Sequence, residues 1–127
     1  MINTPLLTVD IVIRLMDQDG KIVVIERRNE PFGWALPGGF VDIGETTRQA
    51  AIREAKEETG LDLVKLKFLG VYDNPNRDPR GHTVSVAFVA SASGDPVAAD
   101  DAINVRIVDP KDPGDLCFDH NLSLIHI

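Results

Sequence analysis

The chain of 127 residues is short of several things, and each shortage narrows what it can be. It has one cysteine, Cys117, so no internal disulfide can form, and the chain suits a reducing compartment such as the cytoplasm. Basic residues are outnumbered, 13 Lys and Arg against 20 Asp and Glu, for a net charge of −7. Nucleic-acid-coating surfaces need basic patches, so no nucleic-acid partner is expected. Any anionic ligand would also be repelled unless metals or local arginines intervene. No stretch approaches about 18 apolar residues, which argues against a membrane-spanning helix. The N-terminus MINTPLLTVD lacks a basic region followed by a long apolar run, so no secretion signal is read there. What is present suffices for one domain over residues 1–127, and an apolar fraction of 43% can build its core.

The chain is organised around residues 38–61, GGFVDIGETTRQAAIREAKEETGL. Physically this is a glycine-rich loop, a helix and a glycine stop. Thr46 or Thr47 can cap the helix N-terminus with its hydroxyl, and Gly60 sits where a left-handed C-terminal cap is wanted. The helix between is about 13 residues, roughly 20 Å long. Ala50, Ala51 and Ala55 give it a thin face for close packing on a sheet, to which Ile52 adds bulk. Glu54, Glu57 and Glu58 fall within about a 100° arc, because spacings of three and four bring side chains together. Glu57 and Glu58 also occupy the last turn, where the helix dipole disfavours anions by roughly 0.3–1 kcal/mol each. A sequence chosen for stability would place Lys there. A missing partner explains the arrangement: a hard divalent cation, which prefers carboxylate oxygens.

Around this run the pattern is mostly strands. Thr8–Leu15 places Val9, Ile11, Ile13 and Leu15 on one face; Asp17–Gly20 reads as a hairpin turn, with Lys21–Arg27 as the returning strand. Arg27 and Arg28 open a loop and could meet phosphate oxygens. Trp34 and Leu36 read as core, and Pro37 forces an extended approach to Gly38 and Gly39, whose backbone can come close to a ligand. Leu63–Asp73 reads as a strand carrying Val64, Leu66 and Phe68, Asn74–Gly81 as a turn-rich loop, His82–Ser91 as a strong strand, and Ile103–Asp109 as a weaker one. Hairpin-linked strands with helix make an α+β arrangement.

Gly39, Glu45, Arg53, Glu54, Ala55, Glu57, Glu58, Gly60 and Leu61 match every position of the Nudix box, so the chain resembles that family. The resemblance runs from about Val9 to His120. The blocks GWALPGGFVDIGE, REAKEETG, DPRGHTVSVAFVA and LCFDH are similar to its ADP-ribose pyrophosphatase branch. It implies the Nudix fold, a mixed β-sheet packed between helices, and Mg²⁺- or Mn²⁺-dependent hydrolysis of a nucleoside diphosphate linked to another group. By the resemblance, Glu54 and Glu58 are the leading metal ligands, Glu57 shares a further ion, and the Gly38 carbonyl joins them. Arg53 and Glu45 orient the carboxylates. Glu54 is the general-base candidate inside the box; Asp100 and Asp101 are candidates outside it. Arg27, Arg28 and Arg80, with Gly38 and Gly39, are the substrate-binding candidates. His82 reads as a strand-start residue, and Tyr72, Phe32 and Trp34 are the aromatic rings available to an adenine.

ADP-ribose, cleaved to AMP and ribose 5-phosphate, is the expected substrate. Two alternatives stay open: a house-cleaning hydrolase of nucleoside triphosphates or other sugar nucleotides, and a module that senses ADP-ribose without cleaving it. The branch also admits a homodimer, although no residue demands one. Family members of this kind close with a second helix near Phe118-Asp119-His120. The last six residues, LSLIHI, read as a translated sequencing adaptor, so residues 122–127 are expected to be a non-native tail that truncates that helix and leaves sheet surface uncovered.

Overall fold

The computed structural model describes residues 2–99 and 102–127. Asp100 and Asp101, the general-base candidates outside the box, lie outside the described residues. The fold is a mixed sheet with one helix on each face. Its strands are β1 (Leu6–Leu15), β2 (Ile22–Arg27), β3 (Gly33–Ala35), β4 (Gly38–Phe40), β5 (Val64–Tyr72), β6 (Thr83–Ala92) and β7 (Ala102–Val108). The helices are α1 (Thr47–Thr59) and α2 (His120–Ile125). The sheet runs β3-β2-β1-β6-β5, with β4 also on β1 and β7 also on β2. β1 and β6 pair in parallel over their length, from Leu6 opposite Thr83 to Leu15 opposite Ala92; the other pairings are antiparallel.

β1 is central and buried on both faces. Val9, Ile11, Ile13 and Leu15 meet Ala50, Ala51 and Ala55 of α1, together with Phe88 and Ala90 of β6. Val12 points the other way, into a second cluster with Leu36, Leu116 and Leu124 of α2. The alternation expected of this strand therefore holds, and its second face is occupied as well. Trp34 packs only partly against that second cluster.

α1 has the expected ends. The Gln49 N–H donates to the Thr46 hydroxyl oxygen at 3.1 Å and the Thr46 N–H to the Gln49 side chain at 2.9 Å. Such a reciprocal cap is worth about 1 kcal/mol. Gly60 closes the helix in the left-handed region at φ 75, its N–H bonded to the Lys56 carbonyl. Ile52 differs from expectation: it is 49% exposed. The alanine stripe already sits on the sheet, and a residue 100° around the helix from Ala51 falls beside the contact.

β5 is an edge strand, and its register with β6 shifts between Val64 and Lys67 and between Phe68 and Gly70. These bulges break the expected alternation. Leu66 and Leu69 reach opposite core clusters, while Val64, Phe68 and Val71 stay exposed. Leu122 to Ile125 fall within α2, where Leu124 is buried and Leu122 and Ile125 are exposed.

Candidate active site

Glu54 and Glu58 are one turn apart on α1 and face the glycine strand β4. The Gly38 N–H donates to Glu58 Oε1 at 3.2 Å. At Gly39 a Cβ would stand 2.6 Å from the Glu54 carboxylate, so a glycine is what lets this strand and helix meet. Glu58 is 6% exposed. Burial, followed by the charge of Glu54, pushes its pKa up to about 9. Burial also raises that of Glu54, against the pull of Arg53.

Arg53 holds the acids from the side. Its Nε and Nη2 donate to both oxygens of Glu45 at 2.8 and 2.9 Å. Nη1 donates to Glu54 at 2.7 Å and Glu57 at 3.2 Å, and Nη2 also reaches the Phe40 carbonyl at 3.1 Å. The Glu45 carboxyl is held down at about 2, mainly by Arg53 and then by the Asp42 N–H. Arg53 is in turn held above its ordinary range, chiefly by Glu45. One guanidinium thus fixes three carboxylates.

The donor set fits a hard divalent cation. Two carboxylates crowd one another against a backbone with no room for a side chain, and a cation between them would relieve both burial and repulsion. Among the described residues no three His, Cys, Asp or Glu side chains enclose an ion by themselves. Glu57 turns toward Arg53 instead. A small cation that keeps waters and takes further oxygens from phosphate needs only one or two carboxylates, which this pair can supply.

These acids line one side of a cavity of about 420 Å³, a size usual for small-molecule sites. Arginines line the other. Arg27 donates to the Pro31 and Glu30 carbonyls and lies 5.0 Å from the Phe118 ring centroid. Burial lowers its pKa, with the charge of Arg80 adding to the effect. Arg80 grips Asp78 with Nε and Nη2 and stacks between Phe40 at 5.3 Å and Phe118 at 5.4 Å. Arg28 is exposed at the rim. Of the metal- and substrate-binding candidates named from the sequence, Glu54, Glu57, Glu58, Gly38, Gly39, Arg27, Arg28 and Arg80 all line this cavity, with Arg53 and Glu45 behind the acids.

The floor was not foreseen. Asp10, in the middle of β1, accepts from Ser85 Oγ at 2.5 Å, and His120 Nε2 lies 3.1 Å from its other oxygen. Arg77 grips Asp119 through Nε and Nη2, donates to Thr83 Oγ1 at 2.7 Å, and reaches Asp10 at 3.4 Å. Burial works to raise the Asp10 pKa, but His120, Ser85 and Arg77 outweigh it and hold it low. An acid inside the apolar run TVDIVIRL was the one available signal. The aromatic candidates lie elsewhere. Tyr72 is buried, with its hydroxyl 2.7 Å from His126 Nδ1; Trp34 lies under Arg106 at 4.1 Å; Phe32 is 67% exposed. The rings at the cavity are Phe40 and Phe118. His82 stands exposed just ahead of β6, with Nε2 3.3 Å from the Asp73 carbonyl.

The chain is similar to known proteins in sequence and in fold. Residues 5–123 match the family model described as the NUDIX domain. The chain is 46% identical over 109 residues to an ADP-ribose pyrophosphatase of Methanocaldococcus jannaschii, which covers 84% of this chain and 64% of that one. It is 41% identical over 92 residues to the ADPR responsive transcriptional repressor NtrR of Acinetobacter baylyi, covering 68% of this chain and 37% of the repressor. These curated relatives are therefore longer proteins, of which the chain spans 64% and 37%. Among solved structures, the NUDIX domain of Shewanella oneidensis NrtR complexed with ADP ribose superposes with a TM-score of 0.86 at 30% identity, over 98% of this chain and 87% of that one. Matched by the family model over nearly all of its length and by that fold, the chain belongs to the Nudix family.

Proposed function

We propose that the chain hydrolyses the phosphoanhydride of a nucleoside diphosphate linked to another group, with ADP-ribose, cleaved to AMP and ribose 5-phosphate, as the substrate. The observation that carries this is the crowded Glu54–Glu58 pair against Gly38 and Gly39, facing an arginine wall across one cavity. The likeness to an ADP-ribose pyrophosphatase supports the choice of substrate.

Glu54 and Glu58 would hold Mg²⁺ or Mn²⁺, with Glu57 and the Gly38 carbonyl as further ligands. The metal, when bound, neutralises diphosphate charge and acidifies a bound water. The protein's own part is positioning and charge. Arg53, locked by Glu45, keeps Glu54 and Glu57 from rotating away, as metal-holding carboxylates require. Arg27, Arg28 and Arg80 neutralise the diphosphate from the opposite side, which the net charge of −7 makes necessary. Glu54, once ionised, would serve as the general base.

A second reading, a module that senses ADP-ribose without cleaving it, draws on the likeness to NtrR. The intact set of box acids favours hydrolysis. Product analysis with ADP-ribose and Mg²⁺ decides between them. AMP and ribose 5-phosphate should form, and chelator should stop their formation. Binding without products would favour the sensor; faster cleavage of nucleoside triphosphates would replace the substrate.

A further inference from the structure

His120 opens α2, is 1% exposed, and touches two parts of the molecule that are remote in sequence, by a hydrogen bond at Nδ1 and a close charge contact at Nε2. Its Nδ1 accepts the Leu36 N–H at 2.9 Å. An acceptor Nδ1 puts the ring proton on Nε2, which faces Asp10 Oδ1 at 3.1 Å. Leu36 is two residues before Gly38, whose N–H holds Glu58. Pro37 lies between them and is fully buried, and its carbonyl accepts from the Ile11 N–H at 2.9 Å. A continuous line of contacts therefore runs from Asp10 through His120, Leu36 and Gly38 to Glu58.

The two nitrogens of His120 are not equivalent in this line. Nε2 leads back to the floor of the cavity. Nδ1 leads forward to the glycine strand. β4 is only three residues long, and it carries the backbone that meets both Glu54 and Glu58. Its position on β1 is set by pairing on one side and by this imidazole just before it.

We propose that His120 is a positioning residue: by accepting the Leu36 N–H it sets the Gly38–Gly39 backbone against the Glu54–Glu58 pair, so that the C-terminal segment controls the geometry of the box. This rests on the hydrolase reading only for its kinetic arm. The imidazole touches no reacting atom in this role, and its effect passes through the loop.

Two substitutions separate the nitrogens. In His120→Asn the amide oxygen falls where Nδ1 was and can still accept the Leu36 N–H, while the Asp10 contact is lost. In His120→Gln the amide reaches the Nε2 position and can still donate to Asp10, while Leu36 loses its acceptor. Both variants leave one polar contact unmade in a buried place, so both should melt below the parent by similar amounts. Two readouts should then divide them. Amide hydrogen exchange should find Leu36 protected in the Asn variant and open in the Gln variant. With ADP-ribose and Mg²⁺, the Gln variant should lose about ten- to hundredfold in kcat, with KM changed much less, because a small misplacement acts on the chemical step. The Asn variant should retain most of kcat. Equal loss of kcat in both variants, or equal protection of Leu36 in both, would overturn the proposal. If the parent protein cleaved nothing, the exchange arm would still decide the role of His120, and the failure would belong to the hydrolase reading alone.

Discussion

At position 39 the smallest added side chain would collide with the Glu54 carboxylate at 2.6 Å, and the obstacle is the end of a side chain held by Arg53 rather than backbone. Gly39→Ala should therefore fold and melt near the parent while losing about a hundredfold in turnover, because Glu54 must turn away. A melting curve beside a steady-state assay checks both halves. Glu58 has the opposite character: it is tolerated by the fold rather than used by it. Its pKa of about 9 stands above the ordinary 4.5, so between those values the metal-free folded protein keeps a proton that the unfolded chain has released. Stability fully present below pH 4.5 should thus be lost as pH rises toward 9. Glu54 is shifted in the same direction. Glu45, Asp10 and Asp78 are shifted down, so what they contribute is fully present throughout this window and is lost only as pH falls below it. Glu58→Gln should flatten that decline in chelator-treated protein, leave the fold as stable or slightly more so, and cut turnover by orders of magnitude. A variant with near-parent activity would remove Glu58 from the site.

At the scale of the element, α1 was the most legible part of the chain. Its cap, length, stop and alanine stripe are all local, and local chemistry decides them. The spacing of its acids is local too, which is why Glu54, Glu57 and Glu58 could be named from the sequence. β5 was legible as a strand but not in its faces, because bulges against β6 reset the alternation at two places. Ile52 was misplaced because a helix shows its apolar residues in sequence but not how wide the contact is. Thr46→Ala should test the local half: loss of the reciprocal cap should cost about 1 kcal/mol in denaturant unfolding, with little change in KM. The tertiary half could not be read. Asp119 lies 42 residues from Arg77, and Asp10 lies 67 from it, so no window along the chain brings them together.

For the whole molecule, that network joins β1, β6, the loop before β6 and the segment leading into α2. Arg77 is its centre, with its side chain 3% exposed. Arg77→Met should cost about 3 kcal/mol, since the buried Asp10 and the half-buried Asp119 would be left without their cation. A smaller loss, measured by denaturant titration, would mean that Asp10 and Asp119 find other partners. The charge plan is also a property of the whole: on the proposed function, an acid wall, an arginine wall and a net −7 would admit a nucleoside diphosphate only when accompanied by a cation. Calorimetric titration of the purified protein with Mg²⁺ or Mn²⁺ at pH 7.5, in buffers of differing ionisation heat, tests that most directly. Uptake should release a proton from the Glu54–Glu58 pair, because burial and mutual repulsion raise both carboxyl pKa values in the metal-free protein, and Glu58→Gln should abolish both uptake and release. No uptake, or uptake unchanged in the variant, would contradict it.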